Sequence, residues 1–418
     1  MSNSRTWPII IVTGANSGVG FGICQRLLVE LSQTYPDDAQ PSYGFHNQQG
    51  ADEKFAACEG LTLILACRSR QRAETARDQL FKFLDDHLEK RCRIGTLNSH
   101  ATAFRKNLEI DIHTIDLASV HSIFLFADEV SQKYPYISHL VFNAGLACFS
   151  RINWSAAIQQ LACDWVNAVT APAFYVQDVG KLTPDHLGLV WQCNVFGHYV
   201  LFRLLEKTLA KCSNPTGPRV LWMSSHESDS TFYDPQDWQL IKSAHSYQCS
   251  KYQIDMMSLH LDRQAVEMHS ADSQSPVIRH FTVLPGVAGT NIASSLLGPL
   301  SSIGMFLAFY IARVLGSPYH LISSYKAAVS AVHLCLVPFV FLPMINLKAT
   351  STNGHANGSP SEAGVRYVSQ CNRWGKEGVS SSKLYESKEE EVQTNELIEK
   401  CETLFRTFCE AEGRKTVA

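Results

Sequence analysis

Tyr247 and Lys251 stand four residues apart in HSYQCSKYQ, one turn along a helix, so both side chains leave the same face. A phenol beside an ammonium can hand a proton to an oxygen. The cation stabilises the phenolate left behind and brings its pKa below the free value of about 10. With 14 tyrosines and 36 Lys+Arg in 418 residues, about one basic residue at that spacing arises by chance. The pair gains weight from Ser224-Ser225, upstream at the end of an apolar run, where a hydroxyl can hydrogen-bond and polarise a carbonyl. Ser225 takes that role here, with Ser224 as the alternative. Asn194, in WQCNVFGHY on the preceding long helix, is placed to hold a water that relays protons to Lys251. A mid-helix Asn can equally do no more than bend or solvate its helix.

Proton transfer to a carbonyl needs a hydride source, and the N-terminal stretch IIIVTGANSGVGFGI supplies a place for one. An apolar run ends at Val12, and Thr13-Gly14-x-x-x-Gly18-x-Gly20 opens a helix. Gly14 allows the tight turn, Gly18 lets backbone N–H groups approach a pyrophosphate, and Gly20 lets the helix pack close to the sheet. The next strand ends in Cys67-Arg68, where an acidic residue would bond a ribose 2′-hydroxyl. A guanidinium suits a 2′-phosphate instead, so Arg68 favours NADP(H) over NAD(H); Arg70 and Arg72 come next, at a helix start. Asp116 closes a third strand within bonding reach of an adenine amino group. Asn143-Ala144-Gly145 closes a fourth, with small residues that let a cofactor lie against the backbone.

The elements that must position these residues alternate. Strands are expected at 9–12, 61–66, 109–115, 139–142, 219–223 and 278–283, and helices at 18–31, 70–89, 119–133, 187–209 and 246–268. That order predicts an α/β fold, a doubly wound parallel sheet covered on both faces. Residues 33–60 read as a surface insertion and 349–364 (ATSTNGHANGSPSEAG) as a polar linker. From His280 to Ala312, and again from Ala327 to Leu347, there is no Asp, Glu, Lys or Arg. Prolines and glycines interrupt both stretches, which leaves two readings open: a buried subdomain over the site, or a membrane-associated hairpin or interfacial insertion. The chain closes with an acidic amphipathic helix, at about Glu389–Phe408, that packs on the body or on a partner.

Bulk composition sets wider limits. Hydrophobic residues make up 45% and charged residues 18%, enough for a substantial core, and the net charge of −3 offers nucleic acid no general attraction. Thirteen dispersed cysteines show neither C-x-x-C pairs nor zinc-ligand spacing, so no metal site is expected and the thiols read as reduced. No signal peptide is evident: the first apolar run leads directly into the glycine turn.

TGANSGVG, FNAG, Asn194, WMSS, YQCSK and LPGVAGT succeed one another over residues 7–292 in an order that resembles the short-chain dehydrogenase/reductase family. The resemblance implies a single Rossmann-type domain over residues 1–292 and catalytic roles for Asn194, Ser225, Tyr247 and Lys251. It implies cofactor contacts from Gly14, Ser17, Gly18, Val19, Gly20, Arg68, Asp116, Asn143, Tyr247, Lys251, Val287 and Thr290, with an apolar access or membrane-associated region at 293–348 and a tail at 365–418. A narrower likeness, carried by LGLVWQCNVFGHYVLFRLL, DPQDWQLIKSAHSYQCSKYQID and RYVSQCNRWGKEGV, is to fungal 3-ketosteroid reductases. That likeness implies NADPH as donor and a 3-ketosterol as substrate in ergosterol biosynthesis. It also implies residence at the cytosolic face of the endoplasmic reticulum membrane or on lipid droplets, and association with the sterol C4-demethylation complex and oxidosqualene cyclase. The 33–60 insertion, the 349–364 linker and WMSSHES depart from the family pattern. Reduction of a 17-ketosteroid, retinal or a fatty ketone, and scaffolding of sterol-synthesis enzymes as a second duty, are the alternatives.

Overall fold

The structure is a computed structural model, and the residues it describes are 7–46, 55–214, 216–271, 276–289, 296, 299–342, 364–384 and 386–414. Thr290 and nearly all of the 349–364 linker lie outside them.

In chain order the strands are β1 (Ile9–Thr13), β2 (Leu61–Cys67), β3 (Leu108–Thr114), β4 (His139–Phe142), β5 (Phe149–Ile152), β6 (Tyr175–Gln177), β7 (Arg219–Met223), β8 (Arg279–Leu284), β9 (Val287–Ala288), β10 (His320–Ile322), β11 (Val365–Cys371) and β12 (Glu377–Lys383). Eight form one sheet in the order β12-β11-β8-β7-β4-β1-β2-β3, parallel from β3 through β11, with β12 antiparallel at the edge. The strand order reverses beside β1, so the ends of β1 and β4 open a crevice at the carboxyl edge. Every residue of β1, β4, β7 and β8 is buried, as expected of parallel strands covered on both faces.

The early helices are α1 (Gly18–Leu31), α2 (Arg70–Arg93), α3 (Ser99–Lys106), α4 (Val120–Lys133), α5 (Trp154–Cys163), α6 (Trp165–Thr170) and α7 (Leu189–Trp191). The later ones are α8 (Gly197–Leu209), α9 (Ser246–Ala271), α10 (Pro299–Val314), α11 (Ser324–Ala327), α12 (Val329–Leu336) and α13 (Lys388–Ala411). Helices α1, α2 and α12 share one core with the sheet, and α4, α8, α9 and α13 share the core on the opposite face. The single helix expected over 187–209 is instead broken: a π-helical turn, Gln192–Phe196, separates α7 from α8.

Two features add to the sequence reading, and the second charge-free stretch takes the buried alternative of the two left open. After the linker the chain returns to the sheet, where Arg366, Tyr367 and Val368 of β11 pair with Thr282, Val283 and Leu284 of β8. The tail therefore adds two strands as well as its helix. Residues 33–46 are pinned to the body and do not lie loose on the surface: Arg26 pairs with Asp38, and His46 Nε2 lies 2.9 Å from His333 Nε2. The second charge-free stretch is core over its described part, with all eight residues of α12 buried and Arg219 donating to the carbonyls of Leu334 and Val337 at its end. No helix among the described residues is long and apolar enough to cross a membrane.

Helix α13 begins with a capping box between Ser387 and Glu390 and buries Leu397, Cys401 and Phe405 against the body. Tyr252 Oη donates to Glu390 and Tyr199 Oη to Glu402, each at 2.8 Å, fastening it across α9 and α8.

Candidate active site

The turn between β1 and α1 is built for close approach. Gly14 and Gly18 sit at φ +67° and +56°, where a side chain is strained. A Cβ on Gly20 would lie 2.4 Å from Asn143 Nδ2 and 2.5 Å from the Gly14 carbonyl oxygen, so only glycine brings α1 this near the ends of β1 and β4. Ser17, the N-cap of α1, gives its helix no side-chain hydrogen bond, and the first turn holds no acid. The first-turn N–H groups and the positive helix end are thus left to an anion, which suits a dinucleotide pyrophosphate. Val19 is half-buried against the core behind this turn.

Arg68 is exposed beyond β2 and Asp116 lies just past β3, both near enough to act electrostatically on buried Cys193. Arg70 is tied to Glu74 at 3.1 Å along α2. Asp116 accepts from the Ala118 N–H at 3.0 Å through one oxygen, which fixes its turn. Asn143 donates from its side chain to the Thr13 carbonyl at 3.0 Å. On the far side, Val287 of β9 donates to the Tyr319 carbonyl at 2.8 Å. The preceding Gly286 (φ +70°) has no room for a Cβ, which would fall 2.5 Å from Leu321.

Tyr247 and Lys251 lie on the first turns of α9, buried, with Lys251 Nζ 5.7 Å from the Tyr247 ring centre. Ser225 lies close enough to the Tyr247 phenol to pull its pKa down, and its hydroxyl accepts from the Glu227 N–H at 3.2 Å. Ser224 instead turns toward α9, where its Oγ donates to the Lys251 carbonyl at 3.5 Å. The chain geometry thus separates the two serines left open by sequence. Lys251 Nζ donates to the Met223 carbonyl at 2.8 Å. Burial pulls the Lys251 ammonium down to about 8, with Asp255 and Glu227 pulling the other way. The sequence-based expectation that lysine lowers the Tyr247 pKa is reversed here: burial and then the Glu227 carboxylate hold it well above the usual phenol range, with nearby Ser225 opposing. In the ammonium's present orientation Tyr247 stays a phenol, the form that can donate.

Asn194 is fully buried in the π-helical turn. Its Nδ2 donates to the Leu146 carbonyl at 2.9 Å and to Ser250 Oγ at 3.0 Å, and its Oδ1 accepts from the Leu146 N–H at 2.9 Å. It therefore clamps the loop after β4 onto the face of α9 that carries Lys251. A Cβ on Gly145 would lie 3.3 Å from Asn194 Oδ1 and 3.8 Å from Lys251 Nζ, which brings Asn194, Lys251 and that loop into one cluster.

Several residues that sequence reasoning missed join these parts. Thr13 Oγ1 accepts from the N–H groups of Asn143 and Ala144, each at 2.9 Å. His198 lies between Thr13 Oγ1 (3.0 Å from Nε2) and the Asn194 carbonyl (3.1 Å from Nδ1), and burial pushes it down to about 4. A carbonyl can only accept, so neutral His198 carries its proton on Nδ1 and accepts the Thr13 O–H at Nε2. The glycine turn and Asn194 are thereby wired together. Gln177, on β6 of the antiparallel β5–β6 pair, accepts from the Tyr247 N–H at 2.9 Å and from Ser246 Oγ at 3.0 Å, and Gln248 links it onward to Glu227. Phe149 of the same strand pair meets the Tyr247 ring edge-on at 5.9 Å, with Tyr175 behind it at 4.9 Å. The aromatic-rich stretch from Phe149 to Tyr175 thus supplies a wall beside the Tyr247 ring.

The chain is 30% identical over 320 residues to the 3-keto-steroid reductase of Schizosaccharomyces pombe, covering 76% of this chain and 79% of that one. The chain belongs to the 3-keto-steroid reductase family. The reductase is likewise 29% identical to the 3-keto-steroid reductase of Aspergillus fumigatus, over 88% of this chain and 80% of that protein. To the Saccharomyces cerevisiae 3-keto-steroid reductase it is 28% identical, over 78% and 80%. No family model matches the reductase. Among solved structures, a 3-oxoacyl-[acyl-carrier protein] reductase from Brucella melitensis, in complex with NAD, overlays with a TM-score of 0.47 at 16% identity, over 81% of this chain and 93% of that one. That overlay is loose, and the Rossmann-type assignment stands on the reductase's own strand order and glycine turn.

Proposed function

We propose that the reductase uses NADPH to reduce the C3 ketone of a sterol intermediate to the 3β-hydroxyl in ergosterol biosynthesis. The observation that carries this reading is the buried Tyr247 phenol set beside Ser225, with Lys251 Nζ 5.7 Å from its ring and next to the loop that Asn194 holds. NADPH bound along that turn supplies a hydride to the carbonyl carbon. Ser225 bonds the carbonyl oxygen and polarises it. Tyr247 gives its phenolic proton to that oxygen as the new C–H bond forms, and Lys251 stabilises the phenolate that remains until it is reprotonated from solvent. Asn194 holds the Leu146 loop and α9 in register, so that Lys251 keeps its position. Arg68, exposed where an acid would favour NADH, is the residue to hold the 2′-phosphate.

The substrate reading draws on the names of the relatives and on the apolar surroundings of Tyr247. Phe149 and Tyr175 suit a hydrocarbon body carrying one oxygen. We extend the reading to residence at the cytosolic face of the endoplasmic reticulum membrane, with lipid droplets as a second location. The C4-demethylation complex and oxidosqualene cyclase are the proposed partners. The test is turnover of a 4-methyl-3-ketosterol with labelled NADPH, read by mass spectrometry. Tyr247→Phe should lower turnover by about a thousandfold while leaving the thermal melt in place. Normal turnover by that variant would refute the mechanism. Preferential reduction of retinal or linear ketones would refute the substrate.

A further inference from the structure

Helix α10 contradicts the usual economy of a soluble surface. Ile303, Leu307, Ile311, Val314 and, just past its end, Leu315 are 67%, 60%, 45%, 60% and 62% exposed, and their spacing places them along one side of the helix. Phe306, beside them, covers Gly289, where a Cβ would strike its ring at 2.5 Å. The helix packs on β10, which pairs with β9 directly after the Pro285-Gly286 turn of the site. The bare stripe therefore stands at the mouth of the reductase and not at a remote face.

A second feature lies beside its C-terminal end. The tight turn after β11 exposes Trp374 to 91%, flanked by exposed Arg373 and Lys376, and Asn372 accepts from the N–H groups of Trp374 and Lys376 to hold the turn. Arg373 lies against Gly316, and Arg313 against both Gly375 and the Tyr310 ring. Neither α10 nor this turn contains an acid, and the next carboxylate, Glu377, is paired with Arg26 and Lys326.

We propose that α10 and the Trp374 turn form one docking face for an anionic lipid bilayer, which lies against the stripe and feeds apolar substrate to the site. The last clause rests on the sterol reading above. At 16 residues, α10 is about 24 Å long, short of a bilayer's hydrocarbon core, so it lies in the interface. There the apolar side chains sink below the headgroups, Trp374 sits at their level, and Arg313, Arg373 and Lys376 meet lipid phosphates. A second copy of the chain would set these cations against one another.

Flotation of the full chain with vesicles tests the proposal. Wild type should float with phosphatidylcholine–phosphatidylserine vesicles, less with phosphatidylcholine alone, and less as salt rises. Leu307→Glu/Ile311→Glu should lose about tenfold or more of the bound fraction. Arg373→Glu/Lys376→Glu should lose the preference for anionic lipid. Both pairs are exposed, so thermal melts and turnover of a detergent-solubilised ketone should match wild type, while turnover of vesicle-embedded ketone falls in step with binding. Wild type that does not float, or a Leu307/Ile311 variant that floats equally well, overturns the proposal. A wild-type dimer that Leu307→Glu/Ile311→Glu splits also overturns it, by making the face a protein interface. If floating depends on these residues yet no form reduces a sterol ketone in detergent, the docking face stands and the substrate reading falls.

Discussion

Replacing Glu227 by Gln removes a charge that acts on both members of the proton-donating pair. The Glu227 carboxyl is half-buried two residues beyond Ser225 and accepts from Gln248 Nε2 at 3.1 Å. Burial raises it from 4.5 to about 7, with the Lys251 ammonium opposing. An acid whose folded value lies above its unfolded value binds its proton more tightly when folded. Its favourable contribution is complete below 4.5 and is lost as pH rises from there through about 7. That interval corresponds to ~3 kcal/mol, which partial solvent access reduces to ~1–2 kcal/mol. Glu227→Gln is neutral and isosteric, so denaturant unfolding should find it more stable than wild type by ~1–2 kcal/mol at about pH 8, and equal to it near the ordinary carboxyl pKa of about 4.5. Catalysis should respond in a second way. The Glu227 charge raises the Tyr247 pKa, so its removal makes the phenolate easier to form. Ketone reduction needs the phenol, and its basic limb should therefore move to lower pH, by about one unit. Equal stability gaps at both pH values, together with an unmoved or raised basic limb, would refute the electrostatic argument.

Two further substitutions separate cofactor choice from scaffolding. Arg68→Asp should cut the preference for NADPH over NADH by about 10–100-fold through loss of charge-assisted phosphate bonds. Steady-state kinetics with each cofactor measures this, and because Arg68 is exposed the melt should hardly change. Asn194→Ala strands the half-buried Leu146 N–H and carbonyl, while Ser250 keeps its bond to the Tyr247 carbonyl, and should cost ~1–3 kcal/mol in denaturant unfolding. An unchanged midpoint would mean that the side chain does not clamp the loop.

The features legible in the sequence are local. The glycine turn is legible because a buried strand, a tight bend and a helix start lie within a dozen residues, and α1 occupies the expected span of Gly18–Leu31. The Tyr247–Lys251 face is legible because one helical turn fixes it. The features that stayed hidden depend on contacts far along the chain. The sequences of β11 and β12 set Tyr367, Val368 and Val379 among serines and charged residues, too polar to be read as sheet until β8 supplies β11 with a parallel partner. Gln177 reaches Tyr247 across 70 residues, from a three-residue strand too short to carry a signal of its own. The break at Gln192–Phe196 escaped because a π turn keeps the helical hydrophobic pattern while rotating α8 relative to α7.

The charge state of Tyr247 shows why spacing alone misleads. Residue types place an ammonium four positions from a phenol and imply an acidified tyrosine. In the fold, that ammonium donates to the Met223 carbonyl, while burial and Glu227 keep the phenol protonated. For ketone reduction this arrangement holds the proton where it must be given up and supplies a cation for the charge that appears afterwards. Burial and Glu227 thus favour the donor state before the reaction, and Lys251 and Ser225 favour the phenolate after it.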